Sequence, residues 1–264
     1  MSAFTAAPPA LQVPGWGAIP ELVHGFFGRR GGLSVGALAT LNLSERVGDD
    51  AAVVAENWRR VGAACPGLTW VRMQQVHGAR VVCIDAGQPT GEADGLITAV
   101  PGLALAVLTA DCVPLLCVAP SRHAVMALHA GWRGTLAGIP AAGLAEARRR
   151  LGVEPSAWLV ALGPAIGACC YEVEAHIGAK LVAAWGPMGE AWQQNGAHGR
   201  LDLRLAIRRI LVAAGVPEAQ ITSVGPCTSC AQSEYFSHRG SGGGTGRQLS
   251  VIGWRGDTAK QTTK

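Results

Sequence analysis

Two short segments carry side chains that can do chemistry. Thr109-Ala-Asp-Cys112 ends an apolar run with a carboxylate and a thiol, and His129-Ala-Gly-Trp-Arg-Gly134 sets an imidazole near a glycine-flanked arginine. Thiolate and imidazole bind zinc or copper well, and they equally make a nucleophile with its base. A third candidate, His77 in Gln74-Gln-Val-His77-Gly78, lies 35 positions before Cys112, which lies 17 before His129. That spacing excludes a local finger. Each of the three stands where a strand-like run meets a turn, and such strand ends gather ligands and catalytic groups in α/β proteins. Three protein ligands leave a fourth position for water or substrate, and a zinc ion there makes a bound water acidic near neutral pH. On spacing alone, satisfied core histidines and a buried cysteine are the plainer reading.

The neighbours of these residues extend the set. Asp111 is a carboxylate at a near-buried strand end, which is costly unless paired or functional. It is a candidate proton carrier, an orienter of a metal-bound histidine, or a turn residue. Arg133 precedes a helix start, where amides and a guanidinium suit phosphate or carboxylate. Trp132 reads as a packing anchor. Arg29, in Gly28-Arg-Arg-Gly-Gly32, is a second candidate anion ligand or a surface turn. Cys227-Thr-Ser-Cys230 is a single CxxC without a second pair, a weak pattern for redox chemistry or a zinc ribbon.

The elements that must position these residues read as alternating strands and helices. Asp49-Asp50 caps a helix over about 51–63. Two β-rich pieces, 70–76 and 80–84, are broken at His77-Gly78. Apolar strands are expected over 103–108, 114–118, 124–128 and 158–162. A helix from Thr135 to about Leu151 ends on basic residues and Gly152. Further helices are expected near 174–185 and 201–214, with strands near 221–224 and 248–252. Arg239 to Arg247 reads as a flexible glycine loop. Residues 1–20, rich in Pro and Ala, read as a flexible lead-in and 256–264 as a disordered tail, flanking one α/β domain over 21–255.

Composition narrows the class. The 264 residues are 49% hydrophobic and 15% charged, enough to bury a substantial core. Mean hydropathy is +0.24, yet no apolar run of spanning length is free of Gly, Pro or charge. The start of the chain lacks a basic segment followed by an apolar stretch, so a cytoplasmic enzyme without membrane contact is expected. A net charge of +4 with dispersed arginines argues against a nucleic-acid face but suits small anions. The eight cysteines of such a chain do not imply a disulfide framework.

Ordered motifs run through almost the whole chain. They include His24-Gly-Phe-Phe-Gly-Arg29-Arg-Gly-Gly32, Leu41-Asn42-Leu43, Val47-Gly-Asp-Asp50, Gln74-Gln-Val-His77-Gly78 and Ala93-Asp94-Gly-Leu-Ile-Thr98. After these come Thr109-Ala-Asp-Cys112, His129-Ala-Gly-Trp-Arg-Gly134, Gly163-Pro-Ala-Ile-Gly167 with Cys170-Tyr-Glu-Val173, Cys227-Thr228, Phe236-Ser-His-Arg239 and Thr245-Gly-Arg247. Over about residues 22–253 the chain resembles the YfiH family. That family is also called the laccase-domain or multicopper polyphenol oxidase family, and peptidoglycan editing factor in some bacteria. Departures are small: Gly28 stands where a serine commonly precedes the arginine, and the tail loop carries extra glycine over Ser241-Gly-Gly-Gly244.

The resemblance implies a single-domain layered α-β-β-α sandwich, similar to the catalytic domain of cytotoxic necrotizing factor toxins. It implies one zinc held by His77, Cys112 and His129, with copper a less favoured occupant. The implied activity is phosphorolysis of adenosine, inosine and methylthioadenosine, and deamination of adenosine. The partners would then be a purine nucleoside and phosphate, handled by a monomer or weak homo-oligomer. Asp111 becomes a proton carrier and Arg133 a catalytic cation, with Arg29, Asn42 and Arg239 as substrate ligands. Competing expectations are a Cys112–His129 hydrolase, peptidoglycan precursor editing, and a copper phenol oxidase. Seven scattered histidines are few for a multi-copper cluster.

Overall fold

A computed structural model describes residues 7–85 and 90–256; the first six residues and all but Gly256 of the tail expected over 256–264 lie outside them. Fourteen strands are found among the described residues. The first sheet contains β1 (Ala10–Leu11), β2 (Leu22–Phe27), β3 (Thr69–Val71), β6 (Leu103–Thr109) and β14 (Gln248–Trp254), in the order β1-β2-β14-β6-β3. Only β3 pairs parallel there.

The second sheet contains β4 (Val81–Cys83), β5 (Gly95–Thr98), β7 (Val113–Ala119), β8 (Ala124–Ala130), β9 (Leu159–Leu162) and β13 (Ile221–Ser223). Its order is β13-β9-β7-β8-β5-β4, antiparallel in the middle and parallel at both edges. A third, small sheet joins β10 (Glu172–Glu174), β12 (His198–Leu201) and β11 (Trp192–Asn195). The helices are α1 (Ala51–Ala64), α2 (Trp132–Leu136), α3 (Ile139–Leu151), α4 (Ala175–Trp185) and α5 (Leu203–Ala213).

Side-chain alternation builds the layers, because successive residues of a strand face opposite sides of its sheet. Phe26, Leu105 and Ile252 of the first sheet pack against Leu116, Val125 and Ala161 of the second. The outer side of the first sheet, through Phe27, Ala106 and Val251, packs on Val61 of α1 and on Leu41 and Leu43. The outer side of the second, through Leu115, Met126 and Val160, packs on Ile139 and Leu144 of α3 and Ile207 of α5. This is the helix-sheet-sheet-helix sandwich the sequence led one to expect. Strands β7 and β8 are covered on both faces, which is why they read as continuous apolar runs.

The caps behave as their residue types require. Asp50 accepts from the amides of Ala52 and Val53, and Gly152 closes α3 at φ 63° after three arginines. The single helix expected from Thr135 is two. Gly138 breaks it at φ 85°, where a Cβ would meet the Trp185 ring at 2.8 Å, and Pro140 suits the first turn of α3.

The lead-in also differs from expectation. Ala10 and Leu11 pair with β2, and Val13 and Trp16 are buried in the inter-sheet core. Two large apolar residues among the prolines give that segment enough to bury. Strand β5 and the small sheet have no counterpart among the elements the sequence predicts.

Candidate metal centre

The topology of the second sheet gathers His77, Cys112 and His129 at one end. Cys112 occupies the tight connection between β6 and β7, and His129 lies on β8, where Pro114 is its partner. His77 comes from the loop between β3 and β4. One ligand atom from each of the three lies within 4.8 Å of the others, and the two imidazoles meet edge-on with centroids 4.8 Å apart. Gly131 must lack a side chain here, since a Cβ would sit 2.9 Å from Cys112 Sγ and 3.3 Å from His77 Cδ2. His77 (φ 62°) and Asp111 (φ 91°) both hold left-handed backbone, the region favouring glycine.

One buried carboxylate braces both histidines, His129 through its ring and His77 through its backbone. Asp94 precedes β5, whose pairing with β8 puts it beside His129. Its Oδ1 lies 2.8 Å from His129 Nδ1 and accepts the His77 amide at 2.9 Å. Its Oδ2 accepts the amides of Gly78 at 2.6 Å and Val76 at 3.2 Å. The His129 amide donates to the Asp94 carbonyl at 2.8 Å. With Nδ1 bound to Asp94, Nε2 of His129 is the nitrogen free for Cys112 and a ligand, as in carboxylate–histidine–metal arrangements. Sequence reasoning placed Asp94 in a family motif but gave it no role. A buried Asp-Gly pair before an apolar Leu-Ile was the one available signal.

The electrostatics match an assembled site. Burial alone would push the Cys112 thiol up, but the charge of His129 and hydrogen bonds from both imidazoles outweigh it and bring it down to about 6. Burial alone would lower His129, yet the Cys112 thiolate and the Asp94 carboxylate raise it to about 9. The favoured state is thus thiolate beside imidazolium, the same thiolate a metal would bind once the imidazole gives up its proton.

Cations and polar groups surround this corner. Asp111 accepts the Thr228 hydroxyl at 2.6 Å and the Arg239 amide at 2.7 Å, so it ties two distant loops to the β6–β7 connection. Arg239 lies over the Tyr171 ring, 5.2 Å from its centroid, and donates to the Glu172 carbonyl at 2.8 Å. Burial pushes the Tyr171 phenol up to about 12; the charges of Cys112 and Asp111 raise it further, while those of Arg239 and Arg133 oppose them. Arg133 is exposed over Trp132, 4.5 Å from the ring. Arg247, which had no assigned role, is half-buried beside Cys112 and Asp111, and burial lowers its pKa against their charges.

Comparison with known proteins places this geometry. A family described as "Multi-copper polyphenol oxidoreductase laccase" matches residues 23–255. The chain belongs to this laccase-like family. "Purine nucleoside phosphorylase YlmD" of Geobacillus stearothermophilus is 40% identical over 92% of this chain and 96% of its own. "Purine nucleoside phosphorylase" of Deinococcus radiodurans is 38% identical over 93% and 92%. The crystal structure of the Bacillus licheniformis hypothetical protein YfiH superposes with a TM-score of 0.88 at 34% identity, covering 94% of this chain and 97% of that one.

Within this laccase-like scaffold the expected site residues divide. His77, Cys112, His129, Asp111 and Arg239 come together, and Arg133 joins them from the start of α2. A donor set of two imidazoles and one thiolate fits a single ion of borderline softness with one open position. Arg29 and Asn42 are not brought to that corner with donors to spare. The Arg29 guanidinium donates to the carbonyls of Ala39 at 2.6 Å and Gln232 at 2.8 Å, and stacks on Phe236. Asn42 is fully buried, donating to Ser44 and Asp49 and accepting from the amides of Ser44 and Arg247. It positions the Arg247 backbone. No helix of the described residues is long and apolar enough to cross a membrane.

Proposed function

We propose that this protein is a zinc-dependent purine nucleoside phosphorylase that acts on adenosine, inosine and methylthioadenosine and also deaminates adenosine. The observation that carries the proposal is the convergence of His77, Cys112 and His129, braced by Asp94, beside the cations of Arg133, Arg239 and Arg247. Relatives named purine nucleoside phosphorylase over nearly the whole chain support it. Zinc, when bound, supplies a Lewis acid at the open fourth position.

In phosphorolysis a phosphate oxygen bonds to ribose C1′ as the bond from C1′ to the purine nitrogen breaks. The electron pair leaves with the base, which takes up a proton. Exposed guanidinium groups on Arg133 and Arg239 suit the phosphate, since Arg meets such anions with two N–H groups at once. Asp111 is the proposed proton carrier, held by Thr228 and the Arg239 amide. In deamination water adds at the purine C6 and ammonia leaves, so the same corner needs a proton acceptor and a donor.

The test is adenosine turnover with and without phosphate, separating adenine and ribose 1-phosphate from inosine and ammonia. Arg133→Ala should raise the KM for phosphate more than that for adenosine; an unchanged phosphate dependence removes Arg133 from that role. Adenosine turnover that survives Cys112→Ala would overturn the whole reading.

A second reading rests on the same charges. Cys112, His129 and Asp94 stand in the order nucleophile, base and orienter, which would suit a metal-free cysteine hydrolase. His77 favours the metal reading, because a hydrolase has no need of a second imidazole facing the thiolate. Activity that persists after chelation and is abolished by thiol alkylation would favour the hydrolase.

A further inference from the structure

The lone CxxC of the sequence is not alone in space. The segment after β9 carries Cys169 and Cys170, the segment after β13 carries Cys227 and Cys230, and one sulphur from each lies within 4.8 Å of the others. Cys230 Sγ is 3.4 Å from Cys170 Sγ and 3.7 Å from Cys169 Sγ. A zinc ion bonded to four sulphurs at about 2.3 Å needs tetrahedral edges of about 3.8 Å, so these separations suit one central ion. None of the four is joined in a disulfide.

We propose that Cys169, Cys170, Cys227 and Cys230 hold a second metal ion, zinc in an all-thiolate site, that staples the loop after β9 to the loop after β13.

Three features favour a metal over paired disulfides. Cys230 stands within reach of both vicinal cysteines, whereas a disulfide would use only one of them. Cys227 Sγ accepts the Gly167 amide at 3.2 Å and further amides from Ser229 and Cys230 within its own CxxC turn. Backbone donors turned on a sulphur stabilise thiolate, the form a metal binds. Gly167 lets the loops approach, because a Cβ there would stand 3.3 Å from both Cys169 Sγ and Cys227 Cβ.

The site is complete without water or substrate, which marks it as structural. The fold already brings the two loops together: Ala165 bridges to Cys227, and the Thr228 amide donates to the Ala165 carbonyl at 3.1 Å. Thr228, between the two CxxC sulphurs, also bonds Asp111, and Tyr171 follows Cys170 directly. A metal at the thiolate site therefore fixes two groups that face the His77–Cys112–His129 corner.

The test is metal content and X-ray absorption on full-length protein loaded with zinc under reducing conditions. Wild type should carry two zinc per chain, and Cys112→Ala should keep one, with four sulphurs near 2.3 Å. The pair Cys227→Ser with Cys230→Ser should lose one zinc. If that variant does not fold, wild-type protein still decides, since Cys169 and Cys230 should resist alkylation until a strong chelator is added. A Cys112→Ala protein without zinc, or with nitrogen in its zinc shell, overturns the proposal. So does denatured wild type, never exposed to oxidant, with fewer than eight alkylatable thiols. Failure of the His77–Cys112–His129 site alone reads differently: wild type and Cys112→Ala would then share one all-sulphur zinc.

Discussion

Two sulphur-bearing clusters lie within one domain, and they are built on opposite plans. His77, Cys112 and His129 meet at one end of a packed sheet, the two histidines share a buried carboxylate, and the set mixes imidazole with one thiolate. Cys169, Cys170, Cys227 and Cys230 sit on two outer loops and offer sulphur alone, with backbone amides turned on Cys227. With a metal bound, the first plan would leave a coordination position open, with cations nearby. The second closes its own shell and has little to tune it. Rigid support with an incomplete ligand set is what chemistry needs; a saturated set on loops is what joining needs.

The contrast can be broken most sharply at the ligands. Cys112→Ala should lower nucleoside turnover by well over the ~100-fold that outer-shell changes cost, whereas the Cys227→Ser and Cys230→Ser pair should act mainly on thermal stability. Equal losses of turnover in both would erase the distinction, and steady-state rates beside melting curves measure it.

Asp94→Asn is next in size. The amide cannot serve three backbone N–H groups and an imidazole as a carboxylate does, and a loss of ~10–100-fold in metal affinity or rate is expected. Wild-type affinity in a competition titration with a chromogenic chelator would argue that the imidazoles hold themselves.

Thr228→Val tests the connection between the clusters. Removing the hydroxyl leaves one oxygen of Asp111 unpaired in a buried place, at a cost of about 1–3 kcal/mol in denaturant unfolding. A change within error would mean that the Arg239 amide alone holds Asp111.

The smallest effect is in acid. Burial alone would raise the Asp94 carboxyl, but bonds from His129 and the Gly78 and Val76 amides hold it below its ordinary 3.8. Unfolded, that carboxyl protonates near 3.8; folded, it protonates lower, so its contribution is full above 3.8 and disappears as pH falls through the folded value. The stability gap between wild type and Asp94→Asn should therefore narrow below about pH 3.8. A gap that stays constant down the acid limb contradicts this.

Much of this molecule is legible from its residues, and what is hidden has common causes. The helix after Asp50 and the runs of β7 and β8 follow from a cap and from continuous apolar stretches. The hairpin of β11 and β12 is hidden because its strands, Trp-Gln-Gln-Asn and His-Gly-Arg-Leu, show no sustained apolar alternation. Trp192 stabilises that hairpin by packing on Gly178 and Gly199, a contact no local pattern contains. Cys112 and His129 stand out by type and by strand-end position, and His77 by type, since the strand expected over 70–76 ends at Val71 and leaves it in a loop. Asp94 does not, because its role exists only once β5 lies against β8. The four-cysteine cluster is hidden by the 57 positions that separate Cys170 from Cys227.

The left-handed backbone at His77 and Asp111 has a consequence for the history of such a chain. Each position costs of order 1–3 kcal/mol that a glycine would recover. At Asp111 the bonds from Thr228 and the Arg239 amide offset that cost, whereas at exposed His77 only a requirement for the imidazole opposes selection for heat resistance towards glycine. A lineage that kept the scaffold but abandoned the chemistry should betray itself at residue 77 first, in a glycine that makes the protein hardier and inert.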